Sequence, residues 1–117
     1  MSPSTTQTID QTRVGSFTVL TLRDSLTRDN AMVLKDYCRN LVSGKKLQII
    51  LDCKSIPYMD SQGLETLLSI HHTLKQGNGS FVLVGLNEVC NDIMIATRLA
   101  SVLMIDKDIH QVIKKGL

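Results

Sequence analysis

Residues 47–84 read LQIILDCKSIPYMDSQGLETLLSIHHTLKQGNGSFVLV, and the order of segments within them decides the fold. Leu47 to Leu51 is a short apolar run closed by Asp52. Its length, with Gly44 before it and Pro57 after it, predicts a buried strand rather than a helix. Ser61 to about Gln76 has the spacing of an amphipathic helix, with Leu64, Leu67, Leu68, His71 and Leu74 as its inner face. Gln76-Gly77-Asn78-Gly79 is a stop followed by a turn. Ser80 to Val84 is a second apolar strand. Strand, helix and strand in that order predict a parallel pair joined by a right-handed crossover.

The alternation extends in both directions. Upstream, Thr8 to Arg13 reads as a weak strand, Val14-Gly15-Ser16 as a turn and Phe17 to Leu22 as a β-branched strand, together an N-terminal hairpin. Leu34, Tyr37, Cys38 and Leu41 then recur at helical spacing, with Thr27, Asp29 or Asn30 as the start and Gly44 as the stop. Downstream, Asn87 to about Ala100 reads as a helix with Val89, Ile93, Ala96 and Ala100 in its apolar pattern. Val102 to Ile105 is a short edge strand, and Asp106 to Lys115 a last helix with Ile109, Val112 and Ile113 facing inward. The prediction is an α/β fold: a mixed, mainly parallel sheet opened by a hairpin, with about four helices packed mainly on one face.

A length of 117 residues points to one domain, with residues 1–7 expected to be flexible. The chain is 43% hydrophobic but only 3% aromatic, so its core must be built from Leu, Ile, Val and Met. Met32, Met94 and Met104 fall in apolar patterns and read as core. The net charge of +2 comes from 13 basic and 11 acidic residues, too balanced to imply nucleic acid or an anionic membrane. Lys45-Lys46 and Lys114-Lys115 are isolated pairs. Cys38, Cys53 and Cys90 are odd in number and without a CxxC pair, which fits reduced, buried thiols in a cytoplasmic protein. The opening MSPSTTQTIDQ lacks the basic and apolar regions of a signal peptide. IMIATRLASVLMI contains Arg98 and is too short to span a bilayer, so no membrane insertion is expected.

Chemistry concentrates at Asp60-Ser61, where the loop becomes a helix. Asp60 can accept from the first free amides and complement the positive end of the helix dipole. Gly63 leaves the capping box incomplete, so the cap rests on one side chain. At about 100° per residue, Ser61 lies roughly 100° from the centre of the inner face, which sends its hydroxyl to solvent. It stands at the carboxyl end of a strand, the edge where functional groups collect in open α/β sheets. A phosphoryl group there would add about −1.5 to −2 charges. The helix start favours that charge and Asp60 opposes it, each by about 1 kcal/mol, so the fold should tolerate the change better than a docked partner would. Taken locally, a plain first-turn serine remains the more ordinary reading. Met59, in the loop before it, is expected to be exposed to a partner.

The other candidates have duller explanations. His71 and His72 point about 100° apart and cannot easily chelate one ion, and His71 reads as a core histidine. Asp52 reads as a strand-end carboxylate satisfied by loop amides. Gln76-Gly77-Asn78-Gly79 is not a phosphate loop, because no helix with Lys-Ser/Thr follows. With no nucleophile–base pair, metal set or nucleotide loop, the sequence predicts no enzyme, no cofactor and no metal.

The run from Ile49 to Val89, and above all Met59-Asp60-Ser61-Gln62-Gly63-Leu64, resembles STAS domains, specifically the anti-sigma factor antagonists of bacteria. Val84-Gly85-Leu86 and Val102-Leu103-Met104-Ile105 before a final helix match the same pattern. The resemblance implies a single STAS-like domain in a partner-switching cycle. An unphosphorylated antagonist binds an anti-sigma factor serine kinase; phosphorylation of the motif serine, Ser61 here, releases it; a serine phosphatase resets it. Met59, Asp60, Ser61, Gln62 and Gly63, with Asp24 and Thr27 before the first helix, are then the partner-binding residues. Gln62 stands where many relatives have a second hydroxyl, and Thr27 where many have an acid. The alternative is a scaffold or accessory subunit of a stress-sensing or transport assembly, without a kinase cycle.

Overall fold

The computed structural model describes residues 9–42 and 46–116. The elements are β1 (Ile9–Val14), β2 (Phe17–Leu22), α1 (Arg28–Leu41), β3 (Gln48–Asp52), α2 (Ser61–Gln76), β4 (Ser80–Val84), α3 (Glu88–Ala96), a 3-10 turn (Leu99–Ser101), β5 (Met104–Asp106) and α4 (Ile109–Lys115). They form one five-stranded sheet in the order β1-β2-β3-β4-β5. β1 and β2 are antiparallel, and the remaining neighbours are parallel. The expected mixed sheet with its hairpin at one edge is therefore present. The expected flexible residues 1–7 and the Gly44 stop lie outside the described residues.

Alternation along the strands splits the core into two layers. Leu20, Leu22, Ile49, Leu51, Phe81 and Leu83 face α1, α2 and α3. Phe17, Val19, Ile50, Val82 and Val84 face the other way and meet Val112 and Ile109 of α4. Both faces of the central strands are covered, which is why LQIIL and SFVLV read as continuous apolar runs. The three helices on one face and the single short helix on the other agree with the predicted packing.

Several sequence expectations are corrected. Met94 is in the core, but Met32 is 59% exposed on α1 and Met104 lies at the sheet edge. α3 stops at Ala96, not near Ala100. The Thr97 hydroxyl donates to the Ile93 carbonyl, and Arg98 takes a left-handed conformation with φ of 65°, so the chain leaves the helix there. The buried face of α3 is Cys90 and Met94, whereas Val89 is exposed. The inner face of α2 is Gly63, Leu64, Thr66, Leu67, Ile70 and Leu74. His71 sits at its margin, half-buried against His72 with ring centroids 5.5 Å apart. Burial holds its pKa below the usual histidine value, and the neighbouring His72 and Lys75 add to this.

All three cysteines are buried and free. Burial pushes the Cys38 thiol up to about 12 and raises Cys53 and Cys90 as well. None is a thiolate at neutral pH, so the reading of cysteine as a small packing side chain holds. Asp52 accepts from the Lys54 amide at 3.1 Å and lies 3.5 Å from the Lys54 ammonium, the ordinary strand-end carboxylate that was expected.

Candidate functional site

The motif is assembled by a loop that starts as soon as β3 ends. The Cys53 amide donates to the Val84 carbonyl at 2.8 Å, extending the grip of β4 by one residue. Ile56 then donates to the Cys53 carbonyl at 3.0 Å, closing a turn. Ile56 and Met59 plug into the core, while Pro57 and Tyr58 between them stay exposed. Two apolar anchors, five and two positions before the helix, thus fix where α2 begins.

Leu26, in the connection between β2 and α1, is the hub. Its amide donates to the Tyr58 carbonyl at 2.9 Å, and its carbonyl accepts from the Asp60 amide at 3.1 Å. Leu26 and Met59 form a parallel β-bridge. In the sequence, only the apolar character of Leu26 between polar neighbours hints at this role. The expectation that Met59 faces a partner is corrected here: it is 1% exposed, held inside by that bridge.

Asp60 caps two helices with one carboxylate. Its Oδ1 accepts from the Gly63 amide of α2 at 2.8 Å, and its Oδ2 from the Arg28 amide of α1 at 2.9 Å. The Gly63 amide, and then that of Arg28, hold its pKa below the usual carboxylate value, so Asp60 is ionised at neutral pH. The cap on α2 was legible; the reach to α1 was not, because it spans 32 positions of sequence.

Gly63 is required by proximity. A Cβ at that position would lie 2.3 Å from the Leu26 carbonyl oxygen. Only glycine lets the first turn of α2 approach the hub this closely. Gly63 is buried and does not face a partner, contrary to its grouping with the docking residues.

Ser61 and Gln62 are what the motif leaves outside. Both are exposed in the first turn of α2. Among the described residues the Ser61 hydroxyl has no hydrogen-bond partner. Thr27 is the half-buried start of α1; its amide donates to Asn30 Oδ1 at 2.9 Å, and Asn30 Nδ2 donates to the Ser25 carbonyl at 2.7 Å. The first turn of α1 is therefore closed without an acid at position 27. Asp24 is exposed, and its carboxylate accepts from the Ser25 amide at 2.8 Å. Bridged by Leu26, the residues 24–28 and 58–63 form one continuous end of the molecule. Tyr58, 49% exposed in a chain with few aromatics, belongs to that surface and was missed from sequence.

Among the described residues there is no group of His, Cys, Asp and Glu able to hold a metal ion. No helix among them is long and apolar enough to cross a membrane.

The STAS domain family model matches residues 7–112, and the chain belongs to that family. Its fold is similar to that of a Thermotoga maritima protein assigned as an anti-sigma factor antagonist, at 22% identity over 92% of each chain with a TM-score of 0.82. It is similar to the phosphorylated form of the Bacillus cell fate determinant SpoIIAA, at 16% identity over 92% of this chain and 97% of that one, with a TM-score of 0.69. It is also similar to part of the murine anion transporter Slc26a9, at 17% identity over 87% of this chain but 18% of the transporter, with a TM-score of 0.72. The family is one of binding domains, not enzymes.

Proposed function

We propose that this chain is an anti-sigma factor antagonist working by partner switching. With Ser61 unmodified it binds an anti-sigma factor that is also a serine kinase. Phosphorylation of Ser61 releases the complex, and a serine phosphatase restores the binding form. The observation that carries this reading is the unpartnered, exposed Ser61 hydroxyl beside a carboxylate fully engaged in capping. A kinase can reach that oxygen without opening the fold. The added charge stays in water on the free protein and becomes costly only against a docked surface.

The docking surface is Asp24, Thr27, Tyr58, Ser61 and Gln62, with Asp60, Gly63 and Met59 holding it in shape from behind. Titration against the anti-sigma partner tests the switch. Ser61→Asp should weaken binding by about tenfold or more while leaving the far-UV spectrum unchanged. Equal affinity for both proteins would remove the switch.

A scaffold or transport-associated role without a kinase cycle is the second reading. Thr27 favours it, since α1 starts here without the acid that many relatives place near the motif serine. Recovery of a large membrane-containing assembly in place of a sigma regulator would support that reading over the first.

A further inference from the structure

A second concave surface lies at the opposite end of the sheet, where the parallel strands begin. It is a cleft of 320 Å³ between the β1–β2 hairpin, the last turn of α1 and the entry to β3. That volume is within the range of small-ligand sites. Leu41 and Leu47 give it an apolar side; the rest is polar, namely Gln11, Arg13, Ser16, Thr18, Lys46 and Gln48.

Its chemistry is one-sided. Among the described residues, two cations, Arg13 and Lys46, line it, with no carboxylate. Four ion pairs occur elsewhere in the described residues, and neither Arg13 nor Lys46 belongs to one. Arg13 lies directly across from Thr18 in the hairpin. At that register their side chains share a face about 5 Å apart at Cβ. Thr18 is 8% exposed, and its side chain lines the cleft. The amide oxygen of Gln11 already accepts from the Tyr37 hydroxyl at 2.5 Å, which leaves its NH2 as a donor. The Ser16 hydroxyl donates to Gln48 Oε1 at 2.9 Å, bracing the hairpin turn against β3.

We infer that this cleft binds a small organic phosphate or sulfate, its tetrahedral oxyanion held by Arg13, Lys46 and the Thr18 hydroxyl. Charged donors with no competing acid suit an anion, and a guanidinium matches its oxygens two at a time. The inference is independent of any phosphorylation at Ser61, which lies beyond the other end of β3.

The test is a titration of the full 15N-labelled chain with glycerol phosphate, with inorganic sulfate as a second arm. Saturable amide shifts are expected at Arg13, Ser16, Thr18 and Lys46–Gln48. Arg13→Gln and Lys46→Gln should each weaken the affinity by about tenfold, Thr18→Val by several-fold, and Ser61→Ala not at all. A phosphate-only response assigns the site to phosphate esters, and an equal response to both assigns it to tetrahedral oxyanions generally. Arg13 and Lys46 are surface residues whose loss leaves the fold intact, so a missing effect cannot be blamed on unfolding. Absent shifts, linear shifts spread over Lys75, Lys114 and Lys115 as well, or variants binding as the wild type does would overturn the site.

Discussion

Met59 and Gly63 bracket Ser61 and Gln62 within five residues, yet the outer pair of that string is packed inside and the inner pair faces water. The difference comes from neighbours, not from residue type. Met59 is drawn in by pairing with Leu26, and Gly63 is pressed against the same residue's carbonyl. Ser61 and Gln62 occupy the part of the first helical turn that points away from the hub. One half of the motif therefore builds a surface, and the other half is that surface. Substitutions in the two halves should fail in different assays.

The largest effect is expected in the building half. Met59→Ala should lose about 2–5 kcal/mol of stability, as truncation of a fully buried side chain does, read as a lower midpoint in urea. Gly63→Ala should cost about 3 kcal/mol, because its new methyl group meets a backbone carbonyl and not a movable side chain. If either protein unfolds with the wild-type midpoint, the hub at Leu26 has been misread.

Asp60 separates the halves and predicts a pH effect. Its folded pKa lies below the unfolded value of about 3.9. Its contribution is therefore complete above that unfolded value and is lost as the pH falls through the folded pKa. Asp60→Asn keeps one acceptor for Gly63 but turns an NH2 toward an amide donor, so it should lower the melting temperature at neutral pH. It should also flatten the stability–pH curve below about pH 4. A parallel curve for the variant would mean that the carboxylate caps neither helix. The smallest effect belongs to the solvent half: Ser61→Ala and Gln62→Ala should stay within about 0.5 kcal/mol of wild type in stability.

The same contrast explains what could be read from sequence. The bounds of α2 and β4 were legible because local chemistry fixes both ends: Asp60 caps the start, and Gly77-Asn78-Gly79 ends the helix. The exposure of Ser61 followed from helical geometry alone. Met59 was misplaced because its burial depends on a bridge to a residue 33 positions away. The apolar spacing of α3 runs past its true end because Ala100 lies in a separate 3-10 turn that continues the pattern after Arg98 has broken the helix. Met32 and Met104 read as core in sequence because periodicity marks a face as apolar without showing whether another element covers it. The cleft around Arg13 and Thr18 left no local signal, since it is made by three segments that meet only in the folded sheet.

Whether Ser61 is the switch is decided by intact-mass measurement after incubation with ATP and the anti-sigma factor kinase. One phosphoryl group is expected on the wild-type chain, at Ser61, and none on Ser61→Ala. Equal labelling of the two proteins would contradict it.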